Sequence, residues 1–152
     1  MSGTPEMRGG RIARGDAETE AAGREVALLT KPGDIWLISG EVGAGKSTLV
    51  RAALREIGVT GAIPSPTFTI GRLYESPGQT MPASHLDLYR LGGLSDEDPG
   101  LLAEYFGPDR VAFVEWPGGA GDELEKMATR VGRVAIHHLD VDSRRISVEP
   151  PA

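Results

Sequence analysis

Apolar residues recur along this chain with two different periods, and together they set out strands alternating with helices. Ile35-Trp36-Leu37-Ile38 and Val111-Ala112-Phe113-Val114 are unbroken apolar runs, the pattern of strands buried on both faces. Between them Leu49, Ala53 and Ile57 recur every four residues, as do Val50 and Leu54. That spacing predicts a helix with a broad apolar stripe, ended at Gly58. Upstream, Ala22, Val26 and Leu29 share one face of a helix that Asp16 or Thr19 would cap. The turn Pro32-Gly33-Asp34 then releases the chain into the first apolar run. Extended pieces are expected at about 68–74 and 84–90, short helices near 101–106 and 123–130, and last strands at 133–139 and 145–149. Strands interleaved with helices imply an α/β sandwich with a mainly parallel sheet.

Composition narrows the picture. At 152 residues, with 39% hydrophobic and 25% charged residues, the chain reads as one soluble globular domain. Residues 1–15 are rich in glycine and arginine and almost without apolar content, so they read as a flexible tail ahead of a domain at 16–152. The net charge of -6 argues against unaided grip on nucleic acid, which usually takes a basic face. With no cysteine, disulfides, thiolate zinc sites and cysteine nucleophiles are excluded. No apolar stretch approaches the ~18 residues of a membrane span, and the N-terminus lacks the apolar core of a signal peptide. The expected location is the cytoplasm.

The strongest chemical signal follows the first apolar run. Gly40-Glu41-Val42-Gly43-Ala44-Gly45-Lys46-Ser47 matches G-x-x-x-x-G-K-[ST] and continues into Thr48 at the start of the striped helix. The glycines let backbone amides turn toward phosphate oxygens, and the helix adds its positive end. Lys46 can reach the β- and γ-phosphates, and the Ser47 hydroxyl can ligate magnesium. The match lies between a buried strand and an amphipathic helix, the setting the mechanism needs. ATP with Mg²⁺ is the expected ligand, and the fold class becomes an α/β, P-loop NTPase-like three-layer sandwich.

Such a site needs a carboxylate at the end of a neighbouring strand. Glu115, closing the run Val111 to Val114, has that place. Asp87 lies in Ser84-His85-Leu86-Asp87-Leu88-Tyr89-Arg90, where alternation puts His85, Asp87 and Tyr89 on one face and Leu86 and Leu88 on the other. On pattern alone this polar face suits solvent as well as catalysis. Ser65-Pro66-Thr67-Phe68-Thr69 is either a plain loop or a hydroxyl-bearing switch that feels the γ-phosphate. Trp116 is either packing or a lever beside the metal site. His137 and His138 adjoin on one strand and face opposite ways, which argues against a shared metal.

Taken together, GEVGAGKSTL from Gly40, SPTFT from Ser65, HLDLYRL from His85 and VEWP from Val114 resemble, in order and spacing, the bacterial TsaE family. The resemblance covers residue 16 onward, and its HLDLYRL and EW segments are more specific than the glycine loop. It implies a small ATPase, weak alone, acting with the TsaB and TsaD proteins in making threonylcarbamoyladenosine in tRNA, with tRNA reached only indirectly. It further implies Lys46 and Ser47 as the loop's lysine and hydroxyl, Asp87 as the aspartate needed for hydrolysis, and Glu115 as the magnesium carboxylate. Thr67 and Thr69 fall on the switch threonines. Asp16 lies in the segment that contacts the adenosine side, and Arg144 or Arg145 approaches the nucleotide, with Arg145 placed among the contacts. Val42 and Ser47 stand where leucine and threonine are common, and both keep the chemistry. The alternative is a small-molecule kinase, but no lid-like insertion is evident between about 90 and 110.

Overall fold

The two apolar runs become neighbouring strands at the middle of a seven-stranded sheet. The computed structural model describes residues 10–41, 43–64, 71–88, 103–116, 124–126 and 128–152. In chain order the strands are β1 (Arg11–Arg14), β2 (Asp34–Gly40), β3 (Gly71–Tyr74), β4 (Ala83–Asp87), β5 (Val111–Glu115), β6 (Arg130–His138) and β7 (Ser143–Glu149). Helix α1 spans Gly15–Leu28 and helix α2 spans Lys46–Ile57. Across the sheet the order is β1-β7-β6-β2-β5-β4-β3.

The sheet is mixed rather than mainly parallel. The β6–β2, β2–β5 and β5–β4 pairs are parallel, whereas β1–β7, β7–β6 and β4–β3 are antiparallel. For the β7–β6 and β4–β3 pairs the cause is connection length, because a parallel return needs a crossover of about a dozen residues or more. Between β6 and β7 only 139–142 intervene, and Asp140 Oδ1 closes that turn by accepting from the amides of Asp142 and Ser143, both at 2.9 Å. The parallel centre still aligns the C-terminal ends of β2, β4 and β5, so that Gly40, Asp87 and Glu115 finish at one edge. Ligand sites of open α/β sheets gather at that kind of edge.

Both faces of the sheet are packed. On one, Trp36, Ile38, Phe113, Val134, Ile136 and Ile146 meet the apolar stripes of α1 and α2. Each large side chain so buried contributes about 1.5–3 kcal/mol relative to exposure. All five residues of the α2 stripe are buried, and the helix stops at Gly58 as the spacing predicts. The two helices touch so closely at Gly23 that a Cβ there would stand 2.2 Å from the Leu49 carbonyl oxygen. On the other face Ile35, Leu37, Leu86, Leu88, Ala112, Val114 and Leu124 form a second cluster, flanked by Tyr105 and Phe106. At the start of β2, the buried Asp34 carboxylate takes a two-point contact from Arg130 at 2.9 and 2.8 Å and the Lys31 amide at 2.8 Å. This pins the first residues of β2 and β6 together.

Several expectations are corrected. Arg11–Arg14, expected inside the tail, form β1 paired with β7, so the ordered domain begins before residue 16. Neither Asp16 nor Thr19 caps α1, which starts at Gly15 behind an Arg14 N-cap without a side-chain bond. Glu18 instead accepts from the Arg14 amide at 2.8 Å, and the Thr19 hydroxyl donates to the Gly15 carbonyl. Of the helix expected near 101–106, Ala103 is helical and 104–105 are turn, with 101–102 outside the described residues; near 123–130 residues 124–126 are helical while β6 already begins at Arg130. Residues 1–9, the rest of the tail, lie outside the described residues.

Candidate functional site

The loop from Gly40 to Ser47 turns because β2 ends at Gly40 and α2 begins at Lys46. Gly45 holds the turn at φ 111°, a left-handed value that side chains rarely adopt, and a Cβ there would stand 2.8 Å from Arg144 Nη1. Only glycine fits. Lys46 folds back over the loop, its Nζ donating to the carbonyls of Gly40 at 2.7 Å and Glu41 at 2.8 Å. The same ammonium sits 3.7 Å from the centroid of the Trp116 ring, a cation–π contact. Burial pushes the Lys46 pKa down, opposed by the charges of Glu115, Asp87 and Glu41.

Trp116 reaches that position through an unusual backbone. Its φ is 57°, the one positive value among described residues other than glycine, and its amide is anchored on the Ile38 carbonyl at 3.0 Å. A bulky residue held there costs about 1–3 kcal/mol, and such outliers cluster at functional sites.

On the β5 side of the loop the carboxylates gather. Glu115 ends β5, is 3% exposed, and accepts from the Ser47 hydroxyl at 3.1 and 3.3 Å. Asp87 ends β4 directly beside it, since the two are register partners in the parallel β4–β5 pair and share a face. Alternation along β4 therefore holds as expected, with Leu86 and Leu88 in the opposite cluster. His85, two residues before Asp87, is fully buried, with Nε2 2.5 Å from Glu115 Oε2. Among the described residues no group of three or more His, Cys, Asp or Glu side chains could enclose a metal unaided. Ser47, Glu115 and Asp87 nonetheless supply hard oxygens of the kind a hydrated divalent cation takes.

The β6–β7 side has another character. Glu41 is exposed but tied down: its carboxylate accepts from the His138 amide at 2.9 Å and pairs with His137 Nδ1 at 2.6 Å. The His138 amide, the Glu41 backbone and the His137 side chain together hold its pKa near 2. Sequence reading missed this clasp, and adjacent histidines on a strand gave no sign of it. Arg144 is buried against Gly45 and lies 3.7 Å from Asp16, and its Nε has no partner among the described residues. Arg145, expected at the site, is exposed on the other face of β7, so Arg144 is the residue that reaches the loop. Gly43, Ala44 and Thr48 lie along the loop and the first turn of α2, while Asp16 sits exposed in the first turn of α1. Val42, Thr67 and Thr69 lie outside the described residues.

Comparison with known proteins agrees with the motifs. The family model described as "Threonylcarbamoyl adenosine biosynthesis protein TsaE" matches residues 13–146. The Streptomyces coelicolor protein named tRNA threonylcarbamoyladenosine biosynthesis protein TsaE is 42% identical over 128 residues, covering 83% of this chain and 86% of that one. Its Bacillus subtilis namesake is 40% identical over 130 residues, covering 86% and 78%. Among solved structures, the crystal structure of Bacillus subtilis YdiB superposes with a TM-score of 0.69 at 28% identity, covering 92% of this chain and 84% of that one. With a family model spanning most of its length and relatives this similar, the chain belongs to the TsaE family.

Proposed function

We propose that this chain binds ATP with Mg²⁺ in the Gly40–Ser47 loop and hydrolyses it in support of threonylcarbamoyladenosine formation in tRNA, docked on TsaB and TsaD. One observation carries the reading: Lys46, Ser47, Glu115 and Asp87 meet where the loop joins the ends of β4 and β5. A positive ammonium on one flank and paired carboxylates on the other suit a ligand that is an anion and a cation at once, which is what a metal–triphosphate complex is. The P-loop NTPase-like character of the sandwich is part of this proposal.

Each residue then has a physical role. Lys46 neutralises phosphate oxygens in a water-poor setting where charge-assisted contacts are strong. Ser47 and Glu115 hold the hydrated cation, and their oxygen donors fit magnesium, which keeps several waters and takes one or two carboxylates. When bound, Mg²⁺ withdraws charge from the phosphates it touches. Asp87 orients the attacking water, an effect realised mainly in the transition state. Arg144 and Asp16 contribute on the other flank of the nucleotide, and Thr67 and Thr69 respond to the γ-phosphate. No described helix is long and apolar enough to cross a membrane; work on tRNA would set the chain in the cytoplasm.

Family membership supports the partnership, in which ATP energy would act on a partner's conformation. A switch matters only if the partner binds its two states unequally. ATP with Mg²⁺ should therefore promote association with TsaB and TsaD more than ADP does, and the pair should raise the hydrolysis rate. Ultracentrifugation with ATP, ADP and no nucleotide, alongside phosphate release with and without the pair, tests this directly. Equal association in all three and no stimulation would overturn the partnership.

A further inference from the structure

We propose that His85 is a positioning residue for the magnesium carboxylate Glu115, a role that rests on the function proposed above. The geometry begins with strand alternation. On β4 the residues flanking His85 turn away from Glu115, Leu86 into the apolar cluster and Ser84 to the Tyr105 carbonyl at 2.7 Å. His85 itself faces the loop side, with no exposure. A buried polar ring is costly without partners, and its Nδ1 has none among the described residues. The contact that holds the ring is Glu115, 2.5 Å from Nε2. A carboxylate only accepts, so Nε2 carries the hydrogen and donates it.

Glu115 is thereby held from two directions, by His85 from β4 and by Ser47 from α2. The alternative partner is close at hand, because Lys46 is near enough for the Glu115 charge to raise its pKa. A carboxylate freed from His85 can turn toward that side and leave the cation without its oxygen, while Lys46 keeps its charge for the phosphates. Ligating carboxylates are themselves hydrogen-bonded as a rule, and loss of that outer support typically costs 10–100-fold in metal affinity or activity.

The test compares three variants by a readout that packing alone does not move. Calorimetry of ATP binding is run in EDTA and across a Mg²⁺ titration. Gln places an amide N–H near the position of Nε2, Asn stops short of Glu115, and Leu has no donor. The expected result is a rise of about tenfold or more in the Mg²⁺ needed for half the effect in His85→Leu and His85→Asn. His85→Gln should stay within about threefold of wild type, and ATP binding in EDTA within about twofold in all three. If His85→Leu does not fold, the Gln and Asn pair decides alone. Asn overlaying the wild-type Mg²⁺ curve, or Gln failing as badly as Asn, overturns the positioning role while the proposed function stands. A wild type indifferent to Mg²⁺ overturns the magnesium reading itself, and this role with it.

Discussion

The two sides of the glycine loop are built on opposite principles. Toward β4 and β5 the groups are acidic and enclosed: Glu115 is buried, Asp87 adjoins it, and both stand at the ends of parallel strands. Toward β6 and β7 they are largely basic, with His137, His138 and Arg144 grouped around Glu41, Gly43 and Gly45. The glutamates show the difference best. Glu115 is positioned by side chains, Ser47 and His85. Glu41 is positioned first by a backbone amide and serves to fasten the loop to the end of β6. On the proposed function one side would react and the other would hold, with Lys46 between them.

The largest effect should come from the reacting side. Asp87→Asn keeps shape but removes the charge proposed to orient water, so nucleotide binding should persist while hydrolysis in the full assembly falls about 100-fold or more. Wild-type turnover in that variant would remove Asp87 from the chemistry. Next comes the residue in the middle. Lys46→Ala loses charge-assisted contacts worth about 1.5–3 kcal/mol, so ATP affinity should drop about tenfold or more. Unchanged affinity by calorimetry in a folded variant would refute phosphate binding by the loop.

Glu115→Gln should be more selective. A neutral amide holds a hydrated cation less well, so the Mg²⁺ requirement should rise about tenfold or more while ATP binding in EDTA stays put. A magnesium titration overlaying the wild-type curve would reduce Glu115 to a strand-end residue. The comparison then sharpens on the holding side. Arg144→Ala should weaken ATP binding several-fold, and Arg145→Ala should leave it unchanged, because Arg144 lies against Gly45 of the loop while Arg145 is exposed on the other face of β7. The reverse result would mean that the nucleotide approaches from the other face of β7.

What the sequence made legible follows the same division. The reacting side rests on local patterns: an apolar run, a carboxylate at its end and a glycine motif between strand and helix. Glu115 could be placed because it closes an apolar run, and Asp87 because alternation sets it on the polar face of an extended piece; parallel register then puts the two side by side. The holding side rests on long-range contacts. The Glu41–His137 pair joins residues 96 positions apart, which no local window connects. Arg144 shares the phase of Ile146 and Val148, the two apolar residues of β7, so alternation turns it toward the helices; what alternation cannot show is that this face reaches the glycine loop. β1 was hidden because Arg11-Ile12-Ala13-Arg14 carries two adjacent apolar residues, neither a long run nor an alternation, and is ordered by pairing with β7 rather than by its own pattern.

The smallest expected effect probes the holding side through acid. In the folded chain the Glu41 carboxyl is held near 2, against an ordinary value of 4.5, chiefly by the His138 amide. A depressed folded pKa contributes stability that is fully present above the unfolded value and disappears as pH falls through the folded one. For Glu41 that window runs from about 4.5 down to about 2. Glu41→Gln cannot carry the charge at any pH, so it should melt slightly below wild type at pH 7. The gap should narrow below 4.5 and close near 2, while other carboxyls titrate alike in both proteins and cancel. Because the group is exposed, solvent screening keeps the difference small. His137→Ala should do less than Glu41→Gln, since the backbone donor that matters most remains. Thermal melts of the three proteins across this pH range measure it. A gap between Glu41→Gln and wild type that stays constant down to pH 2 would mean that the charge of Glu41 contributes nothing to fastening the loop.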